Sequence, residues 1–163
     1  MKKIAILMML FISAIALAQT DAKPKNIIIL FADGTTSSQY EFGRYSSALL
    51  RQESFAVTDV VMAKGQYQLM KTESANYFVT DSAAAASAMS TGYKVNNGAI
   101  SMTPDGKATS TIMEVAKDNG KRIGLLSTAP IYDASPAAFS VHAKSRRDSE
   151  WIVSQYLNLA PDV

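Results

Sequence analysis

Three short stretches of the chain have continuous apolar centres, rich in β-branched, large aliphatic and aromatic side chains. They cover residues 26–32, 76–80 and 122–128. Apolar runs of this length are typical of strands that are buried on both faces, as in a parallel sheet covered by helices. The pattern therefore predicts three buried strands.

Amphipathic or alanine-rich segments lie between and after these stretches and carry helix-boundary signals. Thr111 with Glu114 forms a capping box, Gly92 and Gly120 can close helices, and Ser135 followed by proline marks a helix start. A turn is predicted over 103–106, where proline, aspartate and glycine follow one another. Helices are predicted over residues 37–50, 83–90, 111–119, from 135 onward, and 149–157. The alternation of strands and helices predicts a layered α/β fold with a largely parallel sheet.

The first 18 residues have the composition of a secretory leader. Lys2 and Lys3 precede an apolar run that ends in the small-residue pattern Ala16-Leu17-Ala18. The run is shorter than the roughly 20 residues that a membrane span needs. We therefore predict a signal peptide over residues 1–18, cleavage after Ala18, no membrane anchor, and export to the periplasm or the medium.

Charge and cysteine content narrow the classes of function. The chain has 16 basic and 14 acidic residues, and two of the basic residues lie in the leader, so the remainder is balanced. A balanced charge gives no footprint for nucleic-acid binding. Because there is no cysteine and His142 is the single histidine, a metal ion would have to be held mainly by oxygen ligands.

Polar residues follow each predicted strand at its carboxyl end. They are Asp33, then Asp81 with Ser82, then Asp133 with Ser135. In open α/β sheets the carboxyl ends of parallel strands form the ligand-binding edge, so these side chains are expected to lie close together. Carboxylate and hydroxyl oxygens suit hard cations and zinc.

Ser82 is the strongest candidate nucleophile, because it begins a helix whose free amides and dipole favour an anion. A serine hydroxyl needs a base or a metal ion for activation, and Asp33 is the nearest candidate metal ligand. Structural interpretations remain open for each residue. Asp33 could end a strand in an ordinary turn, Ser82 and the residues at 133 and 135 could be helix caps, and Arg146 with Arg147 could be a solvated pair.

Three blocks of sequence resemble the alkaline phosphatase family and occur in the family's order. They are IIILFADGTTSS at 27–38, VTDSAAAASAMSTG at 79–92 and STAPIYDASPAAFSVHAKSR at 127–146. The resemblance implies an α/β/α sandwich and hydrolysis of phosphate monoesters through a phosphoserine at Ser82. It also implies that Arg146 binds two phosphate oxygens and that Asp81 orients this arginine.

The same resemblance implies zinc and magnesium as cofactors. Asp33 would bridge the two kinds of ion, Ser82 would bind zinc, and Asp133 and Ser135 would hold magnesium. Threonine occupies the position of Ser135 in some family members, and both residues present a hydroxyl. His142 is not among the family's metal ligands and is assigned a structural role.

Family members continue well beyond 163 residues, and their remaining metal ligands lie in that further part. Residues 19–163 are therefore expected to be the N-terminal part of a single catalytic domain. The isolated chain is expected to have little or no activity, and the complete protein is expected to form a homodimer.

Two alternatives compete with this interpretation. The first is a related phosphodiesterase or sulfatase, although the Ser/Cys-x-Pro-x-Arg motif of sulfatases is absent around Ser82. The second is an exported, non-catalytic binding module, whose function would survive replacement of Ser82 by alanine.

Overall fold

The computed structural model describes residues 25–66 and 68–163. Contacts divide the chain into one unit ending at Phe31 and a second unit over Ala32–Val163. The predicted signal peptide, residues 1–18, lies outside the described residues. Among the described residues, no helix has the length and apolar character required to cross a membrane.

The regular elements described in the second unit are all helices. A π-helical segment, Ser47–Arg51, directly continues the first α-helix, and another π-helical segment covers Val57–Met62. The α-helices are α1 (Ser37–Ser46), α2 (Ser82–Thr91), α3 (Ile112–Asp118), α4 (Ala134–Ala138) and α5 (Ser149–Leu159). Every predicted helix is therefore present, within a few residues of its predicted bounds.

Local signals account for the helix boundaries. The capping box of Thr111 and Glu114 forms at the start of α3, where the hydroxyl accepts from one backbone N–H and the carboxylate accepts from the other. Gly92 ends α2 with φ of +78°, in the left-handed region that glycine adopts at low cost. Asp133 is the N-cap of α4, two residues before Ser135, where the serine-proline signal placed the start of the helix.

Gly43 lies within α1, although glycine is unfavourable in the interior of a helix. A Cβ atom at this position would lie 3.0 Å from the ring of Phe55. The missing side chain allows the aromatic ring to approach the helix closely, and this contact accounts for a helix that contains glycine.

The predicted parallel sheet is not confirmed, because the described residues contain no regular strand. The three apolar stretches are irregular or extended, and Leu30, Phe78 and Leu126 are 92%, 91% and 89% exposed. A buried strand needs hydrogen-bonded neighbours and covered faces, and these side chains lack that cover among the described residues. The observed pairing consists of isolated antiparallel bridges, Ile100 with Ala143 and Met102 with Ala108.

The core of the second unit forms where α2 packs against α4. Alanines with at most 2% exposure line both helices and allow close approach of the backbones. Buried serines connect the helices to the segment between them: the Ser101 N–H donates to Ser87 Oγ, and Ser101 Oγ donates to the Ala138 carbonyl. The buried alanines are Ala83, Ala84, Ala86, Ala134, Ala137 and Ala138.

Candidate active site

The carboxylate of Asp33 accepts hydrogen bonds from two serine hydroxyls that are distant in sequence. Ser82 Oγ lies 3.1 Å from Oδ1, and Ser135 Oγ lies 2.6 Å from Oδ2. Ser82 is the first residue of α2 and Ser135 lies in the first turn of α4. The packing of these helices therefore places two hydroxyls around one carboxylate.

The aspartates that precede these serines determine where the helices start. Asp81 Oδ1 accepts from the Ala84 N–H at 2.9 Å, and Asp133 Oδ1 accepts from the Ala134 N–H at 2.7 Å. Both aspartates are N-caps. For Asp133, the sequence had left this capping role open as a structural interpretation. Capping leaves both carboxylates able to bind a further partner: Asp81 caps with Oδ1 and keeps Oδ2 for other contacts, and Asp133 Oδ1 accepts from the backbone and from Arg146.

Arg146 lies between the two capping carboxylates. Its Nη2 is 2.9 Å from Asp133 Oδ1 and its Nη1 is 3.5 Å from Asp81 Oδ2. The sequence suggested Asp81 as its partner, and the structure places the closer contact at Asp133. The side chain is 32% exposed, so the guanidinium remains accessible to an anion. Arg147 is more exposed, and its side chain has no hydrogen bond or ion pair among the described residues.

A turn that sequence reasoning missed contacts both Asp81 and Arg146. The Gly98 N–H donates to Asp81 Oδ2 at 3.0 Å, and the Gly98 carbonyl accepts from the Arg146 N–H at 2.7 Å. The side-chain amide of Asn97 also contacts the backbone before Ser82. The Asn-Gly pair is a turn signal in the sequence. Its contacts with Asp81 and Arg146 are distant in sequence, so no local pattern predicts them.

His142 makes structural contacts and touches none of the six predicted site residues. Its Nδ1 is 3.0 Å from the Ser101 carbonyl oxygen, and its Nε2 is 2.9 Å from Glu114 Oε1. Burial disfavours ionisation of Glu114, but hydrogen bonds from Thr111 and the contact with His142 outweigh burial and lower the pKa of this carboxyl below its ordinary value of 4.5.

Replacing Glu114 with glutamine is expected to lower the free energy of unfolding of the full-length protein at neutral pH by about 1 kcal/mol, because charged hydrogen bonds exceed neutral ones by roughly that amount. Since the folded-state pKa of Glu114 is depressed, its contribution is present above pH 4.5 and is lost as the pH falls through the lower folded-state pKa. Denaturant unfolding over this pH range measures the difference. Glu150→Gln, at an exposed position in α5, is the control.

The donor set fits a hard cation in its chemistry. Asp33 contributes a carboxylate, and the hydroxyl oxygens of Ser82 and Ser135 lie within hydrogen-bond distance of it. Asp133, the N-cap of α4, contributes a further carboxylate two residues before Ser135. No group of three or more histidine, cysteine, aspartate or glutamate side chains suited to a metal ion occurs in the part of the chain that the structure describes. These residues therefore fit as part of the ligand set of a metal centre.

Comparisons with known proteins agree on one family. Alkaline phosphatase 3 of Bacillus subtilis is 37% identical over 140 residues, which are 82% of this chain and 29% of that protein. The crystal structure of Thermus thermophilus alkaline phosphatase matches with a TM-score of 0.75 and 29% identity over 79% of this chain and 27% of that one. A mutant of the alkaline phosphatase from the Antarctic bacterium TAB5, with Mg bound in its M3 site, matches with a TM-score of 0.63 and 33% identity over 74% of this chain and 34% of that one.

The two matched structures show that the similarity includes the fold, since both are alkaline phosphatases. The chain spans about a third or less of the length of the relatives described. Residues 24–156 also match the family model described as Alkaline phosphatase. This match covers most of the 163 residues, including all six predicted site residues. The chain therefore belongs to the alkaline phosphatase family.

Proposed function

We propose that the full-length protein hydrolyses phosphate monoesters through a phosphoserine at Ser82, with zinc and magnesium ions as cofactors. One observation supports this proposal: Asp33, Ser82 and Ser135 lie together, and Arg146 pairs with the aspartates that cap the same two helices. Family membership supports the same reaction class.

Ser82 Oγ attacks the phosphorus atom, the bond to the alcohol oxygen breaks, and the phosphoryl group is transferred to the serine, while the hydroxyl proton of Ser82 leaves with the released alcohol. Asp33 Oδ1 holds the hydroxyl in place as its hydrogen-bond acceptor. Water then attacks the phosphoserine, so that phosphate leaves and the Ser82 hydroxyl is restored. The start of α2 favours the developing negative charge, because its first amides and its dipole point toward this position.

Arg146 binds the phosphate oxygens, since a planar guanidinium matches two oxygens of a phosphoryl group. Asp81 and Asp133 hold it in position from both sides. The metal ions would be held by Asp33, Ser82, Asp133 and Ser135. When bound, they favour the ionised hydroxyl and offset the charge of the phosphoryl group.

Further parts of the proposal concern the whole protein. Residues 19–163 form the N-terminal part of one catalytic domain with an α/β/α sandwich, following the leader that directs export to the periplasm or the medium. The isolated 163-residue chain has little activity, and the complete protein is a homodimer. Small phosphate monoesters are the substrates, and nucleic acid is not a partner.

Trapping the covalent intermediate tests this proposal against its alternatives. The full-length protein is incubated with a monoester carrying labelled phosphate, quenched in acid and digested, and the peptides are sequenced. Label is expected on the peptide that contains Ser82. Turnover of the monoester is expected to exceed that of a diester and a sulfate ester. Preferential turnover of a diester or sulfate would favour the related hydrolase, and absence of both label and turnover would favour a binding module.

A further inference from the structure

A tight turn over residues 96–99 lies against the segment that leads into Ser82. The Ala99 N–H donates to the Asn96 carbonyl at 3.0 Å, and Gly98 at the third position has φ of +82°. This geometry fits a type II turn, which requires glycine or asparagine at that position. Asn97 occupies the preceding corner, so its side chain projects from a fixed backbone.

The side-chain amide of Asn97 uses both of its ends on the backbone immediately before the nucleophile. Its Oδ1 accepts from the Asp81 N–H at 3.1 Å, and its Nδ2 donates to the Val79 carbonyl at 2.9 Å. One contact needs an acceptor and the other needs a donor, so only one orientation of the amide satisfies both. The side chain thus acts as a bridge across residues 79–81.

The turn itself is anchored from other directions. The Asn97 N–H donates to Asn76 Oδ1 at 2.8 Å. Gly98 joins the Asp81 carboxylate to the backbone of Arg146 through the two hydrogen bonds described above. A displacement of the turn would therefore be transmitted to the nucleophile segment and to the arginine together.

We propose that Asn97 is a positioning residue for Ser82, an inference that rests on the proposed function. Asn97 touches no reacting atom. By fixing the backbone of residues 79–81, it sets the start of α2 and hence the direction of the Ser82 hydroxyl relative to the guanidinium of Arg146. Small errors in the placement of a nucleophile are costly, since misplacement by about 1 Å can lower a rate by roughly 10²-fold.

Four variants of the full-length protein test this role. Asn97→Ala removes both side-chain hydrogen bonds, and Asn97→Asp keeps the acceptor for the Asp81 N–H but loses the donor to Val79. Asn96→Ala is the matched control in the same turn, because the Asn96 side chain has no hydrogen bond among the described residues. Ser82→Ala reports on the proposed function itself.

The readouts are kcat per titrated active site, KM for a phosphate monoester, the inhibition constant of inorganic phosphate, and the thermal unfolding midpoint. Asn97→Ala is expected to lower kcat by about 10- to 100-fold, with KM and phosphate inhibition changed by less than about threefold, because the arginine keeps its contacts. Asn97→Asp is expected to fall between Asn97→Ala and the parent. Asn96→Ala is expected to match the parent.

A purely structural side chain gives a different result. A lowered unfolding midpoint with parental kcat per active site would overturn the proposal, and so would failure of both Asn97 variants to fold. Parental activity in Ser82→Ala would instead overturn the proposed function. Loss of activity in Ser82→Ala together with parental kcat in Asn97→Ala would overturn the positioning role alone.

Discussion

Replacement of Ser82 by alanine is expected to lower kcat of the full-length protein on phosphate monoesters by at least about 10³-fold, because the variant lacks the oxygen that takes the phosphoryl group. The side chain is small and half-buried, and its one described hydrogen bond goes to Asp33. Alanine fits the same space at the start of α2. The measurement is steady-state turnover of the purified variant, together with its thermal unfolding midpoint.

Ser149→Ala provides a matched control for this substitution. Ser149 is the first residue of α5 and follows an aspartate N-cap, Asp148, in the same way that Ser82 follows Asp81. If a serine at this helical position has only a structural role, both variants should behave alike. We expect Ser149→Ala to keep parental kcat. Comparable activity in Ser82→Ala and the parent would rule out Ser82 as the nucleophile.

The helix boundaries could be predicted from the sequence because their causes are local. The capping box at Thr111 depends on a carboxylate three residues away, and the end of α2 depends on one glycine that tolerates a positive φ. Gly43 shows the limit of such signals. Its occurrence in α1 depends on Phe55, twelve residues later, and the sequence pattern does not reveal this contact.

The predicted strands depend on partners that are distant in sequence. An apolar stretch indicates burial, but a strand forms only when other segments pair with its edges and cover its faces. Main-chain hydrogen bonds at residues 123–125 join this stretch to 162–163, from Asp162 N–H to the Ile123 carbonyl and from Leu125 N–H to the Val163 carbonyl. These contacts are too few for a ladder. The apolar pattern alone therefore identifies the segments and leaves their pairing undetermined.

The grouping of the candidate site followed from a topological rule, and its internal contacts did not. Polar residues at the ends of the three apolar stretches do come together, as the two hydrogen bonds of Asp33 illustrate. The sequence could not indicate that Arg146 lies closer to Asp133 (2.9 Å) than to Asp81 (3.5 Å), because this difference depends on how α2 and α4 pack together. Asn97 was missed for a related reason, since its partners lie 16 and 18 residues away.

Replacement of Arg146 by alanine is expected to lower kcat/KM for phosphate monoesters by roughly 10² to 10³-fold, the range seen when one donor to a transition state is removed. Two causes contribute. The variant loses the planar fork that binds two phosphate oxygens, and it leaves Asp81 and Asp133 without the cation that lies between them. Lysine retains the charge without the fork, so Arg146→Lys is expected to be intermediate.

Arg147→Ala is the control that separates the specific role of Arg146 from a general loss of positive charge. Arg147 is adjacent and exposed, and its side chain makes no hydrogen bond or ion pair within the described ranges 25–66 and 68–163. Long-range attraction of an anionic substrate would be weakened equally by either substitution, whereas direct binding of the phosphoryl group requires only Arg146. We expect the inhibition constant of inorganic phosphate to rise in Arg146→Ala and to stay parental in Arg147→Ala. Equal effects in the two variants would show that Arg146 acts only through its long-range positive charge. A larger effect in Arg147→Ala would show that Arg147, and not Arg146, binds the phosphate.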